Sequence, residues 1–145
     1  MILETKRCRI RAFAEKDLDA FMAYRNDEAW MQYQSFKNQT REAYQAYLLS
    51  ARTFADGCQL AVAEKATDRL IGDLYVKEEG GDYWIGYSIS PAYARKGYMC
   101  EVLSTFIQWK SREQVRFFAG TEPANIPSQR LLQKLGFQLL RFDAE

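Results

Sequence analysis

The segment Tyr83 to Ser90 sets Tyr83, Ile85, Tyr87 and Ile89 against Trp84, Gly86, Ser88 and Ser90, giving one strongly apolar face with a period of two residues. That period suits a strand, so the chain must build a sheet that buries this face. Upstream, Gln59 to Glu64 and Leu70 to Lys77 are two further strand-like stretches; Thr67-Asp68 separates them, and Gly80-Gly81 precedes the third. The three predict an antiparallel meander. Downstream, Pro91 and Gly97 introduce a helix whose Met99, Val102, Leu103, Phe106 and Ile107 form a core stripe ending near Lys110.

The flanks extend this pattern. Arg7 to Phe13 (RCRIRAF) reads as a first strand, and Leu18, Phe21 and Met22 predict a helix running to about Arg25. Trp30 to Phe36 mixes aromatics and amides without a period and reads as a loop or short helix. Thr40 is a candidate N-cap for a second helix carrying Tyr44, Tyr47, Leu48 and Ala51 towards the Asp56-Gly57 break. Val115 to Ala119 resumes as a strand, and a helix after Pro127 carries Leu131, Leu132 and Leu135 and stops at Gly136. Phe137 to Phe142 is expected to be the final strand. The predicted class is α/β (α+β), a mixed and mostly antiparallel sheet flanked by helices, in one domain over residues 1–145.

Composition removes several kinds of chemistry. Twenty Lys and Arg against nineteen Asp and Glu leave a formal net charge of +1, so no whole-molecule field draws in nucleic acid or anionic lipid. Any anion site must be local. No apolar run approaches the ~20 residues that cross a bilayer, and Met1 to Arg11 is charged where a signal peptide would be apolar, so a cytoplasmic protein without a membrane partner is expected. Cys8, Cys58 and Cys100 lack metal-ligand spacing, and there is no histidine, which removes the commonest zinc ligand and the usual general base. No metal is expected.

Two segments can carry chemistry. Ile89 to Glu101 (ISPAYARKGYMCE) passes from strand to helix through a basic turn, so the first-turn N–H groups of the helix point outward with partial positive charge. Arg95 and Lys96 add cations, and Gly97 lets the backbone approach a phosphate closely, so a pyrophosphate would fit. The plain alternative is a solvated strand-to-helix turn. The spacings of a Walker A loop and of the dinucleotide-binding Gly-x-Gly-x-x-Gly are both absent, which disfavours NTPases and dehydrogenases. The second segment, Asn125 to Phe137 (NIPSQRLLQKLGF), opens a leucine-rich helix with an amide and a hydroxyl three residues apart and closes it with Gly-Phe.

These two segments, with the opening LETKRCRIRAF, resemble the GNAT superfamily of N-acetyltransferases, and N-x-x-S-x-R-L-L-x-K-L-G-F is similar to its RimJ/RimL-type branch. The resemblance implies a GNAT fold and acetyl-coenzyme A (acetyl-CoA) as co-substrate. It also implies direct transfer to a primary amine, either a protein N-terminus or a small molecule. The pantetheine arm would lie between the fourth and fifth predicted strands near Ile89 and Ser90, with the pyrophosphate on Arg95, Lys96, Gly97, Tyr98, Met99 and Cys100. Asn125 and Ser128 would face the thiol end, a main-chain N–H near Ile89 would polarise the carbonyl, and Ser128 would protonate the thiolate. As an alternative, Asn125 and Ser128 only cap their helix.

The chain departs from the family's phosphate-loop pattern at Ala94, where Gln or Arg is usual, and at Met99, where Gly or Ala is usual. Leu132 stands where other branches keep an acidic tyrosine, and Trp84 stands where a basic glutamate often sits. Glu122 and Asp73 are the remaining candidate bases. The missing base favours an α-amine, about 10% neutral at pH 7, over lysine. Tyr24, Trp30, Tyr33 and Phe36 are candidates for either an acceptor pocket or core. The short stretch from Phe137 to Glu145 suggests that the sheet's last strand is missing or completed by a partner, hence a homodimer. A non-catalytic CoA-binding or protein-interaction module is the alternative function.

Overall fold

The computed structural model describes residues 3–138. Its six strands are β1 (Leu3–Glu4), β2 (Cys8–Arg11), β3 (Cys58–Glu64), β4 (Leu70–Glu79), β5 (Asp82–Ile89) and β6 (Arg116–Ala119). The helices are α1 (Leu18–Arg25), α2 (Arg41–Leu48), α3 (Tyr98–Ser111) and α4 (Ile126–Lys134). The strands form one sheet in sequence order, antiparallel except for the parallel β5–β6 pair. Each face of the sheet carries its own core. On one, Ile85, Tyr83, Leu74 and Val62 pack with Val102, Leu103 and Phe106 of α3. On the other, Phe21 and Tyr24 of α1 and Tyr44 and Leu48 of α2 cover Ala61 and Leu70.

Strand periodicity accounts for this division, because alternate residues of β5 serve the α3 core while the intervening ones turn to the opposite face of the sheet. Pairing between β5 and β6 stops at Ile85↔Ala119, whereas β5 stays paired to β4 as far as Ile89↔Gly72. From Gly86 to Ile89, β5 therefore has one open edge. The sheet splays there, and this gap positions the site.

Thr40 caps α2 as expected, its Oγ1 accepting from the Ala43 N–H at 3.1 Å. The helix nevertheless ends at Leu48 rather than continuing towards Asp56. The chain must leave the α2 face so that Phe54 can pack edge-on against Tyr83 and Phe106 on the other side. The short strand β1, paired through Leu3↔Ile10, is an addition to the expected elements. Residues 30–36 form turns rather than a helix. The final strand expected over 137–142, and the self-association tied to it, fall largely outside the described residues.

Candidate active site

The anion cradle forms where β5 hands over to α3. Arg95 and Gly97 both take left-handed conformations (φ +62° and +79°), and Gly97 is the N-cap of α3. A glycine there carries no side chain to occupy the first-turn N–H groups, which face outward as the sequence predicts. Met99 does not obstruct them, because its side chain turns into the core and is only 7% exposed.

The cradle is braced from a distant part of the chain. Arg7 donates from Nη1 to the Lys96 carbonyl at 3.1 Å and from Nε to Glu101 Oε1 at 2.8 Å. Its guanidinium also lies 4.1 Å from the centre of the Tyr98 ring. Burial pushes the Glu101 carboxyl up, but bonds from Thr5 and Arg7 outweigh it and hold it below the usual carboxylate range. The carboxylate in the first turn of α3 is thus satisfied by Arg7, whose role has no signal in the local sequence.

Next to the cradle is a cavity of about 570 Å³ that passes through the splay. Tyr87, Ile89, Tyr93, Tyr98, Cys100, Asn125 and Ser128 line its α3/α4 side, and Trp30, Tyr33, Gln34 and Ser88 line the other. Along the open edge, the carbonyl of Ile89 accepts from Trp30 Nε1 at 2.8 Å and that of Tyr87 accepts from Gln34 Nε2 at 3.3 Å. Backbone N–H and C=O of one strand residue point the same way, so the Tyr87 and Ile89 N–H groups also face the gap.

At the far end of that edge, Ser128 Oγ lies 2.6 Å from Tyr87 Oη. Burial raises the Tyr87 pKa and the Ser128 bond lowers it, with burial dominant, so the phenol stays protonated at neutral pH. Two coupled hydroxyls therefore face the cavity, of which the sequence reading had only Ser128. Tyr87 had appeared there only as part of an apolar strand face. Asn125 has the capping role, its Oδ1 accepting from the Ser128 N–H at 3.3 Å.

Several expected site residues are placed elsewhere. Ser90 donates its N–H to the Ile71 carbonyl at 2.7 Å and is not a cavity residue, and Lys96 enters the cradle only through its carbonyl. Glu122 is exposed outside the cavity and engages neighbours through its carbonyl. Asp73 is not a surface base: it is 0% exposed and accepts from Tyr24 Oη, Arg25 Nη2 and Gln59 Nε2. Trp84 stacks on Phe118 with ring centres 4.9 Å apart, outside the cavity. Of the four aromatics considered for the acceptor pocket, Trp30 and Tyr33 line the cavity, whereas Tyr24 and Phe36 belong to the core. Among the described residues no three acidic or cysteine side chains group as metal ligands would, and no helix is long and apolar enough to cross a membrane.

A family model described as an acetyltransferase (GNAT) domain matches residues 7–138. The chain belongs to the GNAT acetyltransferase family. This GNAT protein is 31% identical over 143 residues to an uncharacterized N-acetyltransferase, YnaD, of Bacillus subtilis (strain 168), covering 95% of this chain and 83% of the relative. A GNAT-family acetyltransferase structure from Bacillus anthracis superposes with a TM-score of 0.83 at 26% identity, over 95% of this chain and 84% of the other. RimL, a ribosomal L7/L12 alpha-N-protein acetyltransferase solved with coenzyme A, shares the fold with a TM-score of 0.83 at 15% identity, over 97% of this chain and 86% of RimL. This GNAT chain is an acetyltransferase, and enzymes of its family use acetyl-CoA. The open β5 edge and the uncapped start of α3 fit a long co-substrate with a pyrophosphate in its middle.

Proposed function

We propose that this GNAT enzyme transfers the acetyl group of acetyl-CoA to the α-amino group of a peptide or protein, by direct attack and without a covalent enzyme intermediate. The observation that carries this reading is the Tyr87–Ser128 hydroxyl pair at the end of the open β5 edge, on the far side of the gap from the phosphate cradle. The pyrophosphate would lie against the first-turn N–H groups of α3, with Arg95 beside them. The pantetheine would follow the N–H groups of Tyr87 and Ile89 into the gap.

There an N–H of the open edge would polarise the thioester carbonyl. The neutral amine attacks the carbonyl carbon, a C–N bond forms and the C–S bond breaks. The departing thiolate takes the Ser128 proton, Tyr87 reprotonates Ser128, and the proton lost by the amine passes to water at the cavity mouth, from which Tyr87 recovers its own.

Among the described residues no carboxylate lines the cavity, so a substrate that is already partly neutral is favoured. An α-amine with a pKa of ~8 meets that need and lysine at ~10.4 does not. Kinship with the RimJ/RimL branch is part of the same proposal; it is supported by the Asn125-to-Phe137 segment and by the fold shared with RimL.

The test measures CoA thiol release from acetyl-CoA with two peptides, one bearing a free α-amine and no lysine, the other an N-blocked peptide bearing lysine. Release with the first alone is expected. Release with the second alone would reject the α-amine assignment, and release with neither peptide would reject peptide transfer.

A further inference from the structure

Beyond Ile85 the open edge of β5 turns two carbonyls to the gap, those of Tyr87 and Ile89, and side chains of a single turn hold both. Trp30 donates from Nε1 to the Ile89 carbonyl at 2.8 Å, and Gln34 donates from Nε2 to the Tyr87 carbonyl at 3.3 Å. Among the described residues no strand pairs with β5 here. The two side chains therefore supply the donors that a neighbouring strand would otherwise bring.

Pantetheine contains two amide groups, each with an N–H to donate and a C=O to accept. Laid along this edge, its carbonyls meet the Tyr87 and Ile89 N–H groups, and its own N–H groups need the two carbonyls that Trp30 and Gln34 occupy. Both side chains also line the cavity, so they stand in the space that the arm would fill. Resting on the acetyl-CoA reading of this gap, we infer that Trp30 and Gln34 form a latch: in the free protein they hold the edge carbonyls, and acyl-CoA displaces them when it binds.

The turn is built so that only these side chains have to move. Met31, between them, is 1% exposed in the α1/α2 core, and its N–H donates to the Asp27 carbonyl at 2.9 Å. Its carbonyl accepts from Lys37 Nζ at 3.1 Å, and the Phe36 carbonyl accepts from Arg25 Nη1 at 2.9 Å. By contrast Trp30 is 39% exposed and Gln34 is half-buried. Rotation of two side chains thus frees the edge while the backbone stays anchored. In the free protein the latch covers a bare strand edge, which is a template for unwanted pairing. Its cost falls on affinity, because the competent open state is only part of the free population.

The test titrates coenzyme A and adenosine 3′,5′-bisphosphate, which keeps nucleotide phosphates but lacks the pantetheine arm, into wild type, Trp30→Phe and Gln34→Leu. Each variant removes one donor and keeps the bulk of the side chain. We expect each to bind coenzyme A roughly 3- to 10-fold more tightly than wild type, the release of one hydrogen bond, and to bind the bisphosphate as wild type does. Coenzyme A affinity that is equal or weaker in both variants overturns the latch and leaves the proposed cofactor site in place. Equal tightening of both ligands also overturns it, because the effect then lies outside the pantetheine arm. No coenzyme A binding by any of the three proteins overturns both the latch and the acetyl-CoA reading. A second measurement needs only wild type to bind. Of the three tryptophan indole N–H resonances, the one missing from Trp30→Phe should lose its protection from solvent exchange when coenzyme A is added to wild type; retained protection overturns the inference.

Discussion

At the scale of single residues, the two hydroxyls at the end of the β5 edge make different demands from the amide beside them. Ser128 would act as charge develops on sulfur, so Ser128→Ala is expected to lower kcat by roughly 10- to 100-fold while acetyl-CoA affinity holds. In the proposed mechanism Tyr87 would act through Ser128, whose Oγ is 2.6 Å from its Oη. Tyr87→Phe should therefore lower kcat in the same direction by a smaller factor, and the double variant should be little worse than Ser128→Ala alone. Asn125 is the contrasting case, because its Oδ1 is already engaged in capping α4. Asn125→Ala should cost about 1 kcal/mol of stability and leave kcat near wild type. Steady-state kinetics and thermal melts on the same four proteins read all of this; a kcat loss in Asn125→Ala matching that of Ser128→Ala would reverse the assignment.

At the scale of elements, α3 is the piece on which the proposed coenzyme A site rests, and it is held by a residue far away in sequence, Arg7. Arg7, just before β2, ties down both the Lys96 carbonyl and the Glu101 carboxylate. Arg7→Ala should weaken coenzyme A binding severalfold through a looser cradle and an unpaired carboxylate near the phosphates, and Arg7→Lys should rescue only part of it, since lysine lacks the fork of donors. Calorimetric titration measures both. The start of α3, the period-two face of β5 and the capped start of α4 were legible in sequence because their signals are local: a glycine, an alternation, and an amide three residues before a serine. The Arg7 brace, the Tyr87–Ser128 pair and the burial of Asp73 were not, because each joins positions widely separated in the chain. The end of α2 was misread for a related reason: its apolar stripe runs on past Leu48, but Phe54 is needed on the opposite face of the sheet.

At the scale of the whole molecule, a second charged cluster contributes to the acid stability of the fold. Asp68 bridges Arg9, Arg11 and Lys16. The Lys16 bond, helped by Arg11 and opposed by partial burial, brings its pKa from 3.8 to about 2. A folded pKa below the unfolded one stabilises above pH 3.8, and that contribution is lost as pH falls towards about 2. Asp68→Asn should thus lower the melting temperature at pH 7 and shrink the further fall between pH 5 and pH 3; an unchanged acid profile would remove Asp68 from that role. In the proposed site, coenzyme A binding depends on sheet, loop and helix together at the splay. The most direct test of that arrangement is calorimetric titration of acetyl-CoA into wild type and into Gly97→Glu, which puts a side chain and a negative charge at the left-handed N-cap of α3. The account predicts one site per wild-type chain and none in the folded variant. Equal affinity in a folded Gly97→Glu protein, or no binding by the wild type, would contradict it.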